Sequence, residues 1–167
     1  DAPATADDTV LDLASLTKVL ATAPLVMRSI ERGAIALDDP VSVHLPQWQD
    51  NVPGPPVTIR DLLAHCSGLA AHVPLFRYHE GRDAFERAIC TMPLEYPPRS
   101  KSVYSDLGFI LLGFVLENVS PLAAQFDALL QQMGVIQDLQ FHPPPMWKRR
   151  TAPAREDPWR GRLLVGE

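Results

Sequence analysis

The run Leu13-Ala14-Ser15-Leu16-Thr17-Lys18-Val19-Leu20-Ala21-Thr22-Ala23-Pro24-Leu25-Val26-Met27-Arg28-Ser29-Ile30-Glu31-Arg32 decides how the rest of the chain is read. Leu13, Leu16, Leu20, Ala23, Met27 and Ile30 recur every three or four residues, the spacing of one face of an α-helix. That face is expected to pack on the core, and Gly33 follows as a natural C-terminal stop. Pro24 conflicts with the pattern locally. A proline inside a helix costs about 3 kcal/mol and frees a carbonyl one turn back, so a kink or a break is expected there.

Working outward, proline and glycine punctuate the remaining elements. Pro40, Pro46, Pro53, Pro55 and Pro56 make an irregular loop of residues 38–56, with one short helical turn over 41–45. Thr58 and Asp61 form a Thr-x-x-Asp capping box, which predicts a helix from Ile59 to Cys66 closed by Gly68. A further helix is expected from Arg82 to Thr91, ended by Pro93. Ser105 or Asp106 caps the next, whose Leu107, Ile110, Leu111, Phe114 and Val115 share one face. Ser120-Pro121 reads as a cap followed by proline at the first helical position, and Gly134 ends that helix. Strand signals are nearly absent: residues 162–165 and Val103-Tyr104 are the candidates. Residues 137–167, with Pro143-Pro144-Pro145, Pro153 and Pro158, are proline-rich and irregular, and Lys148-Arg149-Arg150 reads as a solvated turn. The expected fold class is mainly α, with about five helices and proline-rich loops in a single domain over 1–167.

Composition narrows the function classes. The chain has 167 residues, of which 46% are hydrophobic, a globular rather than a disordered balance. With 15 Lys+Arg against 20 Asp+Glu the net charge is −5, so no nucleic-acid partner is expected. No run of about 18 apolar residues is present, so no membrane span is expected. The chain opens at Asp1 without a charged-then-apolar leader, so no signal peptide is read in it, and cytoplasm and periplasm both stay open. Two cysteines, Cys66 and Cys90, are too few for a disulfide framework and match no metal spacing. His65, His72 and His79 fall at regular intervals but without a completing carboxylate, so neither a metal nor another cofactor is expected. The 17 prolines are about twice the usual share of ~5% and cluster in the loops.

Two elements carry candidate chemistry. Ser15 and Lys18 form a Ser-x-x-Lys pair one helical turn apart, on the same face, so the amine can reach the hydroxyl. A serine is a poor nucleophile until a base takes its proton, and a lysine does so only when burial has made it neutral. The helix N-terminus adds backbone N–H groups that favour negative charge near Ser15. Taken alone, the pair reads first as a serine cap and a solvated lysine, since so short a pattern often arises by chance. The second element is Tyr104-Ser105-Asp106. A tyrosine beside the lysine's charge has its phenolate favoured and can relay a proton to a leaving group. Tyr104 also reads as a half-buried aromatic at a helix entrance, and Asp106 as an N-cap. His65 beside Cys66 suggests a thiol nucleophile only weakly, since adjacent residues on a helix do not face each other.

Five blocks stand in a characteristic order: Asp12-Leu13-Ala14-Ser15-Leu16-Thr17-Lys18, Leu37-Asp38-Asp39-Pro40-Val41, Thr58-Ile59-Arg60-Asp61-Leu62-Leu63, His65-Cys66-Ser67-Gly68-Leu69 and Tyr104-Ser105-Asp106. From about Asp12 to Leu164 the sequence resembles the serine β-lactamase-related hydrolases, in the branch that holds class C β-lactamases, D-alanyl-D-alanine peptidases and β-lactamase-fold esterases. The resemblance implies the helical region of the β-lactamase/penicillin-binding-protein-like fold. It also implies Ser15 as acylated nucleophile, Lys18 as general base and Tyr104 as proton relay. Asp106 stands where many relatives have an asparagine that positions the lysine and the substrate amide. A carboxylate there is expected to hold Lys18 charged, which favours an ester over an amide or β-lactam substrate. The family's Pro-Gly turn is Pro98-Arg99 here, so a turn needing positive φ is expected to be altered.

The family's third motif, Lys-Thr-Gly or His-x-Gly on a strand bordering the site, is not found after Tyr104. His79-Glu80-Gly81 matches by letter but precedes Tyr104 and sits in a loop. Most of the family's antiparallel sheet is likewise unreadable, so the chain reads as the helical half of a longer protein. Two functions are therefore carried forward. One is a serine hydrolase acting through an acyl-enzyme on a small-molecule ester or amide. The other is a non-catalytic helical fragment that self-associates or binds a complementing chain through the exposed face that would meet the sheet.

Overall fold

The computed structural model describes residues 4–49, 54–135, 139–154 and 156–165. A π-helical turn, Lys18–Thr22, leads into α1, Ala23–Glu31. There follow α2 (Val41–His44), α3 (Ile59–Leu63), a 3-10 turn (Leu75–Arg77), α4 (Arg82–Cys90), α5 (Asp106–Val119) and α6 (Leu122–Met133). A second 3-10 segment, Pro145–Arg150, precedes a two-stranded hairpin of β1 (Glu156–Asp157) and β2 (Arg162–Leu163). The pairing is antiparallel, with Glu156 opposite Leu163 and Asp157 opposite Arg162. The molecule is mainly helical, as its sequence implies. No single helix among the described residues is long and apolar enough to cross a membrane.

The π-turn resolves the Pro24 conflict. Ala23 donates its N–H to the Lys18 carbonyl, five residues back. This wider turn lets Pro24 enter the first turn of α1, where a missing N–H is no loss. It also overturns the core face read from the sequence. Leu16, Leu20 and Met27 are exposed, together with Val19, while Ala21, Leu25, Val26 and Ser29 are buried. A period of 3.6 counted through a π-turn loses phase, and the segment carries apolar residues on two faces, one of them unpartnered.

Helix α5 is the centre of the core. Leu107, Leu111, Leu112, Val115 and Leu116 are all at most 1% exposed, because α1, α3, α4 and α6 pack around it. Each such burial is worth about 1.5–3 kcal/mol. α3 packs on α5 at Gly108 at ordinary contact distance: a Cβ there would stand 3.6 Å from the Leu62 carbonyl oxygen. Ser105, not Asp106, caps the helix, its hydroxyl accepting from the Gly108 N–H. Asp106 is left free to point elsewhere.

Other boundaries differ for local reasons. Helix α3 has its full capping box but ends at Leu63, three residues early, because His65 takes the left-handed conformation at φ 57°. Ser120 is extended and caps nothing; the Glu117 carboxylate accepts the Leu122 N–H instead, at 2.6 Å. Gly134, at φ 72°, ends α6. Val103-Tyr104 joins no sheet, although Val103 donates to the His65 carbonyl. Within 137–167, taken above as irregular, the 3-10 segment and the hairpin are ordered elements. Phe141 stacks on Phe126 of α6, and Val10 pairs with Thr151 in a parallel bridge. Residues 50–53 of the proline-rich loop, and 137, 138, 155, 166 and 167, lie outside the described residues.

The Pro98-Arg99 turn keeps its positive φ despite lacking glycine: Arg99 sits at φ 66°. Its guanidinium grips the Asp61 carboxylate at both oxygens, 2.9 and 2.6 Å, and donates to the Pro56 carbonyl at 2.8 Å. Asp61 is 3% exposed and also closes the α3 capping box. A bidentate pair to a buried carboxylate thus holds an arginine where glycine is ordinarily preferred. Arg99→Gly and Arg99→Ala both remove the pair, but only glycine relieves the left-handed backbone. Urea unfolding is expected to find the alanine protein less stable than the glycine protein by about 1 kcal/mol. Equal stabilities would show that no strain is held at this position.

Candidate active site

The site begins with a strained turn. Ala14, just before Ser15, has φ 44°, and its N–H is held by the Asp12 carboxylate at 2.8 Å. Three tight backbone bonds follow, Leu16 to Leu13, Thr17 to Ala14 and Lys18 to Ser15. They lift Ser15 into solvent at the head of the helix and bring Lys18 beneath it. Lys18 Nζ donates to Ser15 Oγ at 3.2 Å and to Asp106 Oδ1 at 2.7 Å. Residues separated by 88 positions meet here because the π-turn of the first helix lies against α5.

Asp106 also reaches a histidine: its Oδ2 lies 3.1 Å from His72 Nδ1. The Lys18 side chain is 13% exposed and that of Asp106 37%. Burial alone would lower the Lys18 pKa, but hydrogen bonds to Asp106 and Tyr104, with their charges, raise it above 10.5. Burial alone would likewise raise Asp106, yet Lys18 and His72 hold its carboxyl below 3.8. The pair is therefore an ammonium and a carboxylate at neutral pH.

Tyr104 completes the cluster from the exposed side, 53% accessible, with Lys18 Nζ 4.8 Å from its ring centre. Hydrogen bonds from Lys18 and Ser15 draw its phenol below the ordinary value of 10.0. Ser15, Lys18, Tyr104 and Asp106, the four residues singled out from the sequence, thus share one site.

Two histidines complete it, neither of which the sequence assigns to this site. His65 stacks on Tyr104 at 4.7 Å and on Phe109 at 5.0 Å, and its Nδ1 accepts the Ser105 N–H at 3.0 Å. That bond fixes the tautomer with the proton on Nε2. Burial first, and the Lys18 charge second, lower its pKa, so it stays neutral. The Cys66 thiol turns away and donates to the Ala64 carbonyl. In the sequence both stand out by a regular interval that no carboxylate completes into a metal site, and His65 also by its neighbour Cys66 and its place in the His65-Cys66-Ser67-Gly68-Leu69 block. Among the described residues, no group of three or more His, Cys, Asp or Glu is placed to hold a metal ion. A cavity of about 340 Å³ opens beside Ser15, Lys18 and Asp106. A larger one, about 910 Å³, lies between residues 7–13 and 139–151 and touches none of the four.

The fold and this cluster define a helical domain built around a Ser-x-x-Lys centre. The chain belongs to the Beta-lactamase family, whose model matches residues 1–163. It is 32% identical over 155 residues to the D-alanyl-D-alanine-carboxypeptidase/endopeptidase AmpH of Escherichia coli, covering 86% of this chain and 40% of that protein. Among solved structures it is similar to a β-lactamase/D-alanine carboxypeptidase from Yersinia pestis, at TM-score 0.72 and 21% identity, over 89% of this chain and 45% of that one. It is also similar to EstCE1, a hydrolase with promiscuous acyltransferase activity, at TM-score 0.70 and 28% identity, over 93% and 45%. The chain therefore spans less than half the length of these relatives, and its architecture is the helical portion of the β-lactamase/penicillin-binding-protein-like fold.

Asp106 governs the charge state of the cluster. In Asp106→Asn the Lys18 ammonium loses its anionic partner, and side-chain NMR titration of Lys18 is expected to find its pKa lower than in the parent protein. An unchanged value would mean that the 2.7 Å pair does not control Lys18.

Proposed function

We propose that this chain carries the acylation centre of a serine hydrolase acting on a small ester through an acyl-enzyme. The observation that carries this reading is the hydrogen-bonded cluster of Ser15, Lys18, Tyr104 and Asp106 at the rim of a cavity. A lysine held as ammonium cannot accept the Ser15 proton, so the base is Tyr104 as phenolate, with Lys18 supplying the charge that stabilises it. Ser15 Oγ–H gives its proton to Tyr104 Oη as Oγ bonds to the ester carbonyl carbon. The carbon–oxygen bond to the alcohol then breaks, and Tyr104 returns the proton to the departing alkoxide. Water hydrolyses the acyl group from Ser15 by the reverse proton path. Lys18 and Asp106 hold the geometry throughout, and His65 keeps the Tyr104 ring in place. An ester suits this arrangement better than an amide, because an alkoxide can depart before it is protonated, whereas an amide nitrogen must take its proton before the bond breaks.

Intact-protein mass after incubation with p-nitrophenyl acetate is expected to show one acetyl adduct, mapped to Ser15 and lost in Ser15→Ala. Tyr104→Phe is expected to slow acylation by about 10²–10⁴. The acylation rate should rise as Tyr104 ionises below pH 10.0 and fall as Lys18 loses its proton above pH 10.5. No adduct at Ser15, or a rate that keeps rising past that range, would refute the assignment.

A second reading rests on the exposed face of the first helical segment. Leu16, Val19, Leu20 and Met27 are 55%, 62%, 40% and 62% exposed along one side. Large apolar patches usually mark contact surfaces. On this reading the chain is a non-catalytic module that pairs with a second copy through that face. Sedimentation is then expected to find a dimer that Val19→Glu dissociates, whereas a monomer at all accessible concentrations would argue against it.

A further inference from the structure

The acylation chemistry uses only one end of the cavity beside Ser15. Its other end is walled by Val73, Leu75, Phe76, Phe85, Phe109 and Ile110. None of these side chains can hydrogen-bond, and they come from the loop after Gly68, the first 3-10 turn, α4 and α5. Leu75 is 5% exposed, whereas Phe76, Phe85, Phe109 and Ile110 are only partly buried, as wall residues of an open cavity are. Phe76 is braced from behind by the C-terminal hairpin: Trp159 meets it edge-on at 5.2 Å and the Arg160 guanidinium lies 5.0 Å from its ring centre. At about 340 Å³ the space falls within the range of roughly 300–1,000 Å³ typical of small-molecule sites, which are mostly apolar with a few polar groups at one end.

We infer that this cavity takes the acyl side of the substrate, and that the preferred ester carries an apolar acyl group larger than acetyl. The inference rests on the reading of Ser15 as nucleophile and Tyr104 as proton carrier. Tyr104 must reach the departing alcohol, yet it does not line the cavity, and its ring centre lies 4.8 Å from Lys18 Nζ. The alcohol therefore leaves toward solvent, and the part retained on Ser15 lies in the apolar end. The polar end, Lys18 paired with Asp106, carries no net charge to attract an acidic acyl group.

The test compares p-nitrophenyl acetate, butanoate and hexanoate on the full chain, with Ser15→Ala as the control. Each methylene buried is expected to raise kcat/KM by about four-fold. Lengthening the alcohol instead, from ethyl to hexyl acetate, is expected to give no comparable rise. Val73→Phe, which fills the cavity, should collapse the hexanoate-to-acetate ratio; should that protein fail to fold by circular dichroism, the parent series decides alone. A flat or falling acyl series with Ser15-dependent turnover overturns the acyl cavity but leaves the hydrolase reading intact. A gain on the alcohol side overturns it in the same way. Absence of Ser15-dependent turnover with every ester overturns both.

Discussion

The 2.7 Å contact between Lys18 and Asp106 is what the site hangs on, because it joins the heads of two helices separated by 88 residues of sequence. Asp106 lies in the first turn of α5, where the helix dipole favours a negative charge. It is free to reach Lys18 only because Ser105 does the capping. The pair is neither fully buried nor solvated, with side chains 13% and 37% exposed, so each charge keeps part of its hydration while still feeling its partner. From this follow the ammonium state of Lys18, the lowered phenol of Tyr104 and the net neutrality of the cavity's polar end.

Of the four non-glycine residues with positive φ among the described residues, three lie on segments of the site; the fourth, His142 at φ 53°, does not. Ala14 at φ 44°, His65 at φ 57° and Arg99 at φ 66° are all non-glycine residues in the left-handed region. Each lies on a segment that carries a site residue, and each is fixed by a specific bond. The Asp12 carboxylate holds the Ala14 N–H, the Ser105 N–H holds the His65 ring, and Asp61 holds the Arg99 guanidinium. Left-handed residues cost about 1–3 kcal/mol apiece and persist where surrounding contacts fix them. Here they aim Ser15, stack a ring against Tyr104 and turn the chain that leads to it.

How much of this could be read beforehand depends on how local each cause is. The Thr58–Asp61 capping box, the Gly134 stop and the four site residues are written in short patterns, and they were legible. The core face of the first helix was not, because a π-turn breaks the period on which such reading depends. Arg99 in place of glycine points to an altered turn, because the bond that keeps its positive φ comes from Asp61, 38 residues away. Of the hairpin near the C-terminus, β2 falls within the strand candidate at 162–165, whereas β1 left no sign, because a two-residue strand has almost no alternating pattern. His65 and His72 carry no sequence signal for their roles, which exist only because the loop after α3 runs beside residues 103–106.

One substitution in a familiar pattern therefore reaches further than its own position. An amide at residue 106 would leave Lys18 without an anionic partner, and burial would then act to lower its pKa. Lysine could in that case accept the serine proton itself, and tyrosine would be released to protonate a poorer leaving group. With a carboxylate at 106 the two roles no longer divide between two residues. In the proposed reaction Tyr104 must both take and return the proton, which suits an alkoxide that can depart before protonation better than an amide nitrogen that must be protonated first. The ester preference proposed above thus follows from the charge at Asp106, before any substrate contact is considered.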